Sequence, residues 1–262
     1  MLQTLIKARL IENRAVGPLI YRADLDAPEI AAQARPGQFV MVRVDGRTGP
    51  SLDPLLRRPL SIHDVPDRKA GLVRLLYRKV GRGTALLAQA RPGEAWDLFG
   101  PLGQGFPAVE GPKLLLGGGL GLAPLLFLAR ETAGQADGRL RLGARNAAEL
   151  VCLDDFKETG LELSIFTEDG SAGEKGLVTK GLAEELKSRP ATIFACGPEA
   201  MLKAVAGLAA DQGLACYLSL ERRMACGLGA CLGCAVEDSA GGYARVCQEG
   251  PVFEASGVRL VE

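Results

Sequence analysis

The sequence predicts an α/β plus all-β chain: an antiparallel β-barrel over residues 1–104, a parallel α/β domain over 105–215 and a small C-terminal domain over 216–262. Three observations carry this expectation. Short apolar runs broken by Pro, Gly and Asp clusters fill the first part, strand and helix patterns alternate through the second, and glycine and cysteine dominate the third.

In the first part, Gly37 to Val44 and Leu72 to Tyr77 read as strands. One helix interrupts them: Gly81-Arg82-Gly83-Thr84 leads into Ala85 to Ala90, with Thr84 as the N-cap and Arg91-Pro92-Gly93 as the stop. The barrel ends near Gly100-Pro101-Leu102-Gly103. Beyond a turn-rich stretch, Lys113 to Leu116 reads as a strand, Leu122 to Glu131 as a helix, and Leu140 to Gly143 and Leu161 to Thr167 as strands. Leu177 to Lys187 then reads as a helix, Thr192 to Cys196 as a strand and Pro198 to Gln212 as a helix. From about Tyr217 no element is long, so a metal rather than a hydrophobic core is expected to hold the tail.

Composition narrows the function. The 31 basic residues cancel the 31 acidic ones and no block of like charge occurs, which argues against a nucleic-acid or anionic-lipid surface. Lys7, Arg9, Glu12 and Arg14 interrupt the apolar residues of Met1 to Val16, so no signal peptide is read and the chain is expected in the cytoplasm. The longest uncharged stretch, Leu114 to Ala129, is broken by glycines and Pro124 and is too short to span a bilayer.

Four of the seven cysteines crowd into the tail, which in a reducing compartment points to metal. Cys226, Cys231 and Cys234 form C-x4-C-x2-C, and Cys247 follows after twelve intervening residues. This is the plant-type spacing for a 2Fe-2S cluster. The glycines between the first three ligands let the backbone wrap a compact inorganic core and aim N–H groups at its sulfurs. A structural zinc site would more naturally show two C-x2-C knuckles, and there is one.

Arg58-Pro59-Leu60-Ser61 ends a strand-like run, where an arginine can pair with a pyrophosphate and a nearby hydroxyl can reach the polar edge of a flavin. Alone it would be an ordinary turn. About twenty residues on come Leu76, Tyr77 and Arg78, then Gly83 and Thr84 at a helix start, where free N–H groups suit the same pyrophosphate. Plain capping by Thr84 and a half-buried barrel position for Tyr77 are the competing readings of those residues.

Leu114-Leu115-Leu116 leads into Gly117-Gly118-Gly119-Leu120-Gly121-Leu122-Ala123-Pro124: strand, glycine loop, helix, the context in which such a loop binds dinucleotide phosphate. Gly118, Gly119 and Gly121 are the expected contacts, while Pro124 replaces the third glycine of the usual fingerprint. No acidic residue follows the next strand to read a ribose hydroxyl; Arg145 stands there, either a solvated loop charge or a receptor for a 2′-phosphate, so NAD and NADP are not separated. Cys196-Gly197-Pro198 ends a later strand at the ligand-binding edge of the sheet, where Cys196 could touch a nicotinamide or be a buried small residue. Glu168-Asp169-Gly170-Ser171 lines the cofactor or is a turn.

These motifs, in this order, resemble the ferredoxin reductase superfamily over essentially the whole chain. Within it, Leu220-Glu221-Arg222-Arg223-Met224-Ala225-Cys226-Gly227 and Cys247-Gln248-Glu249-Gly250-Pro251-Val252-Phe253 look most like the electron-transfer subunits of class B dihydroorotate dehydrogenases. The resemblance implies an FAD-binding barrel, an NAD-binding domain and a 2Fe-2S domain joined to a catalytic FMN subunit in a heterotetramer of two of each. It implies electron flow from the FMN of that subunit through the cluster and FAD to NAD+ in pyrimidine (UMP) biosynthesis, with dihydroorotate oxidised in the partner and no catalytic residue in this chain. Arg58 to Ser61, Leu76 to Arg78, Gly83 and Thr84 match the family's FAD contacts, with Ser61 near the flavin N5. Leu60 stands where many reductases carry an aromatic residue, leaving Tyr77 as the expected stacking partner. The single histidine, His63, is expected to be a loop residue. The alternative is an equivalent subunit of another assembly, such as a sulfide dehydrogenase, a hydrogenase or a ferredoxin:NADP oxidoreductase.

Overall fold

A computed structural model describes residues 4–43, 54–134 and 137–260. Six strands, β1 (Thr4–Gly17), β2 (Ile20–Asp26), β3 (Phe39–Arg43), β4 (Arg58–Asp67), β5 (Leu72–Arg78) and β6 (Ala95–Leu102), close into an antiparallel barrel of order β1-β2-β5-β4-β3-β6. Helices α1 (Pro28–Gln33) and α2 (Arg82–Leu87) sit in its connections. Val44, the expected end of the strand now bounded as β3, lies outside the described residues. β1 was not expected from the sequence, because its exposed face carries the charges Lys7 and Arg9 while only Ala8 and Leu10 turn fully inward.

β3 is buried along both faces. Val40 and Val42 enter the barrel core, whereas Phe39 and Met41 join the core that underlies the sheet and the tail. Period-two side-chain alternation thus makes one strand a wall between two cores.

The second sheet runs β10-β9-β8-β7-β11-β12-β15. Its strands are β7 (Lys113–Gly118), β8 (Gly138–Ala144), β9 (Glu162–Thr167), β10 (Glu174–Lys175), β11 (Thr192–Cys196), β12 (Cys216–Ser219) and β15 (Val252–Glu254). All pair in parallel except β12 with β15. The helices are α3 (Leu125–Thr132), α4 (Leu153–Lys157), α5 (Leu182–Ser188) and α6 (Glu199–Asp211). Leu114, Leu116, Ile193 and Ala195 face one core and Leu115 and Phe194 the other, which is why these strands read as continuous apolar runs. The expected helix from Leu122 starts later: Gly119–Leu122 is a 3-10 turn and Pro124 is the N-cap of α3. The helix expected from Leu177 begins only after Gly181, which sits at φ +67°.

The tail is held differently from the expectation. It leaves the sheet at β12, forms the hairpin β13 (Ala235–Glu237) and β14 (Tyr243–Arg245), and re-enters as β15. Cys234, Val236, Val246 and Cys247 are buried in the same core as Leu116 and Leu218, so packing as well as metal secures it. The expected boundary at residue 216 falls inside the seven-stranded sheet.

Barrel and sheet are clamped by neighbouring residues of β4. His63 is fully buried rather than a loop residue, and its Nδ1 lies 2.7 Å from the Ala123 carbonyl at the start of α3. Asp64 accepts a 2.9 Å bond from Arg130 near the other end of α3. Burial pushes the His63 imidazole down from 6.5 to about 4, with Arg74 and Arg22 assisting and the Ala123 hydrogen bond and Asp155 opposing. Above pH 6.5 the ring is neutral folded or unfolded, and stability is full. As pH falls from 6.5 towards 4 only the unfolded chain takes up the proton, so about 3 kcal/mol should be lost. His63→Asn should remove this limb, as read from denaturation midpoints of both proteins between pH 7 and 4.

Candidate functional site

A cleft of about 510 Å³ opens where the barrel meets the tail, and Arg58, Pro59, Leu60, Ser61, Leu76, Tyr77, Arg78, Gly83 and Thr84 all line it. The grouping follows from topology. β4 and β5 are paired neighbours, and α2 begins just after β5. Arg58 reaches across to the helix start: a Cβ on Gly83 would sit 2.3 Å from the Arg58 Nε, so the glycine makes room for the guanidinium.

The helix cap differs from the expectation. Gly81 is the N-cap, and Thr84 lies in the first turn with its hydroxyl accepting from Val80 N at 2.9 Å and Gly81 N at 3.2 Å. The α2 start, capped by a glycine with no side chain of its own, lies beside Arg58 and suits an anion. These residues fit a dinucleotide pyrophosphate.

Tyr77 is 1% exposed, stacked on Tyr21, edge-on to Trp96, and its hydroxyl donates to Asn13 at 2.9 Å. That packing leaves almost no ring surface for a flavin to cover, against the expected stacking role. Residues the sequence reading did not assign complete the cleft: Phe39 from β3, and Ser219, Leu220, Arg222, Met224 and Pro251 from the tail. Leu220, Arg222, Met224 and Pro251 lie in the two tail runs that carry the resemblance, whereas nothing local in the sequence marks Phe39 or Ser219.

A second cleft of about 580 Å³ lies at the carboxyl ends of β7, β8 and β11, lined by Gly118, Gly119, Gly121, Gly197 and Pro198. It is the switch point of the sheet, since β7 is followed on one side by β8 and on the other by β11. Gly117 is level with Cys196 and Gly118 with Gly143, so the two glycine loops meet backbone to backbone. A Cβ on Gly121 would stand 2.2 Å from the Cys196 carbonyl oxygen. Gly121→Ala should therefore cost about 1–3 kcal/mol through overpacking and weaken dinucleotide binding, as measured by denaturation and calorimetric titration. An unchanged affinity would remove Gly121 from the site.

Cys196 itself is 1% exposed and does not line this cleft; burial first, then the Glu221 charge, pushes its thiol upward. It shapes the loop contact through its backbone. Glu168 lines the cleft, whereas Asp169 accepts from the Ser171 amide at 2.9 Å and forms a turn. Arg78, Leu120 and Glu221 line both clefts, which are therefore contiguous.

The four tail thiols fall into two pairs. Pairing of Ala235 with Arg245, and the 3.1 Å bond from Val246 N to the Cys234 carbonyl, bring Cys234 beside Cys247. Cys226 and Cys231 interact across the glycine loop. Burial raises the Cys226 thiol, but the N–H groups of Leu228, Cys231 and Ala230 and the Cys231 thiol outweigh it and bring it down to about 7. Gly229 N points at the Cys247 sulfur at 3.1 Å. Among the described residues no three Cys, His, Asp or Glu side chains converge on a single ion position. Two thiol pairs with inward N–H groups fit a two-iron cluster, one pair per iron, better than a lone tetrahedral zinc. Gly227 packs against Met41 of the barrel, and Met224 already lines the first cleft, so cluster loop and cleft adjoin.

No helix among the described residues is long and apolar enough to cross a membrane.

Comparison with known proteins agrees with this geometry. A family described as the iron-sulfur cluster binding domain of dihydroorotate dehydrogenase B matches residues 221–259, and one described as an oxidoreductase NAD-binding domain matches 115–207. The electron transfer subunit of dihydroorotate dehydrogenase B (NAD(+)) from Desulforamulus reducens is 42% identical over 94% of this chain and 95% of its own. Its counterpart from Caldanaerobacter subterraneus is 38% identical over 97% and 98%. Among solved structures, a chain of an NADH-dependent reduced ferredoxin-NADP oxidoreductase, described in connection with flavin-based electron bifurcation, superimposes with a TM-score of 0.83 at 30% identity, covering 97% of this chain and 90% of that one. Phthalate dioxygenase reductase shares the fold at a TM-score of 0.61 and 19% identity, over 79% of this chain and 64% of that one.

Proposed function

This chain belongs to the family of electron transfer subunits of dihydroorotate dehydrogenase B, and on that footing we propose that it carries electrons from the FMN of a catalytic partner subunit, by way of a 2Fe-2S cluster and FAD, to NAD+ in pyrimidine biosynthesis. The observation that carries the reading is contiguity: the second cleft shares Arg78, Leu120 and Glu221 with the first, and the first shares Met224 with the approach to Cys226. A flavin exchanges either hydride or single electrons, so the middle position is the one chemistry requires of FAD.

Arg58 and the α2 start hold the pyrophosphate, Ser61 sits where a hydroxyl can meet the flavin's polar edge, and Gly118, Gly119, Gly121, Gly197 and Pro198 admit the nicotinamide dinucleotide. Cys226, Cys231, Cys234 and Cys247 hold the cluster. The units are 1–104 for FAD, 105–215 for NAD and 216–262 for the cluster, the last contributing β12 and β15 to the sheet of the second. Leu228 and Leu232, 49% and 63% exposed on the cysteine loop, give a partner an apolar foothold. We assign a heterotetramer of two chains of each kind, in the cytoplasm, where free thiols such as buried Cys196 and Cys216 persist.

The test is co-expression with the catalytic subunit. A copurifying FMN protein that oxidises dihydroorotate with NAD+ only when this chain is present supports the reading, and a sedimentation mass equal to two of each chain supports the stoichiometry. A different partner points to another assembly.

A further inference from the structure

In a parallel dinucleotide-binding sheet, the residue ending the strand next to the phosphate loop meets the adenosine ribose: a carboxylate accepts from its 2′-hydroxyl, and an arginine accommodates a 2′-phosphate. Arg145 follows β8 at this place and lines the second cleft. Read from the sequence, it leaves NADP open. The structure supplies what the sequence withheld. One 3-10 turn later, Glu149 brings both carboxylate oxygens onto the Arg145 guanidinium, one of them accepting from Nε at 3.4 Å.

Glu149 is no free surface charge. Its side chain is 10% exposed, it lines the same cleft, and the barrel residue Arg78 approaches, at 3.7 Å, the oxygen that accepts from Arg145 Nε. Hydrogen bonding to Arg145, opposed by burial and aided by the Arg145 and Arg78 charges, holds its carboxyl below the ordinary range, so it is anionic at neutral pH. The cleft lining then sets Arg78 and Arg145 against Glu149, Glu168 and Glu221. Burial pushes the Glu221 carboxyl up, and Glu149 and Glu168 alone already match the two arginines before a phosphate enters.

We propose that Glu149 selects NAD over NADP by occupying Arg145 and presenting a carboxylate where a 2′-phosphate would have to sit. This rests on the reading of the second cleft as the dinucleotide site. A ribose diol brings hydroxyl donors, which a carboxylate accepts. A 2′-phosphate brings further negative charge, and must either break the Arg145 pair or stand against Glu149 and Glu168. The arginine is present but engaged.

The FAD-loaded protein should be titrated calorimetrically with 5′-AMP and with adenosine 2′,5′-bisphosphate, probes that read the ribose site without hydride transfer. The native protein should favour 5′-AMP. Glu149→Gln should shift the affinity ratio about tenfold or more towards the bisphosphate, the scale of one charge-assisted hydrogen bond. Adding Arg145→Ala to it should remove the greater part of that gain, leaving only what the lifted repulsion contributes. An unchanged ratio in Glu149→Gln, or a gain undiminished by the double substitution, overturns the assignment. Should Glu149→Gln not fold, Arg145→Ala alone decides: an occupied arginine contributes little to bisphosphate binding, so a loss of about tenfold or more overturns the proposal. Failure of the native protein to bind either probe would instead strike the reading of the cleft itself.

Discussion

Cys231→Ala is expected to leave a folded yellow protein that has lost the broad visible bands of an oxidised cluster and more than about a hundredfold of its electron transfer to the partner. Losing an outer-shell group typically costs 10–100-fold at a metal site, and a ligand thiolate is a larger loss. Cys231 is exposed and its partner is Cys226, so its removal unhands one iron of the pair without entering the core. Cys234 and Cys247, by contrast, are built into the shared core, and their replacement would confound folding with ligation. NADH-dependent reduction of a soluble dye should be partly retained in Cys231→Ala, because the two clefts do not include this residue. Equal loss of dye reduction and partner transfer would contradict the separation of roles.

Arg58→Ala should weaken FAD binding by roughly 10- to 150-fold, the range set by about 1.5–3 kcal/mol for hydrogen bonds to a charged group. Arg58 is half-buried, and its guanidinium lies over Gly83 at the α2 start, so the substitution opens the cleft without emptying the core. Arg58→Lys should recover only part of the loss, since an ammonium keeps the charge but not the fork that grips two phosphate oxygens. Fluorescence titration of flavin-free protein with FAD measures all three. If the alanine variant retains FAD as tightly as the native protein, the pyrophosphate is held elsewhere.

Much of this architecture was legible because it rests on local periodicity. The runs Leu114 to Leu116 and Thr192 to Cys196 announce strands covered on both faces, and the glycine loop between strand and helix announces the second cleft. Cysteine spacing needs only chain geometry. What escaped depends on tertiary contact. Thr84 reads as a cap because caps favour hydroxyls, yet Gly81 takes that place and Thr84 braces it from inside the turn. Tyr77 reads as a flavin partner until the barrel closes and Tyr21 covers it. Nor does any local pattern show that Glu185 of α5 meets both buried Arg139 and buried Arg141. Glu149 had no visible role because Arg145, not any motif, gives it one.

The path of the tail through the sheet has a consequence for iron chemistry. Ser219 and Val252 face each other across β12 and β15, so the stretch bearing all four ligands departs and returns at one point. The sheet as well as the metal closes this loop, so the entropy of bringing its ends together does not fall on the cluster alone. The cysteine stretch is therefore a loop with both ends anchored side by side in the sheet, and what it holds is carried at a fixed distance from the flavin cleft that Ser219 and Pro251 line.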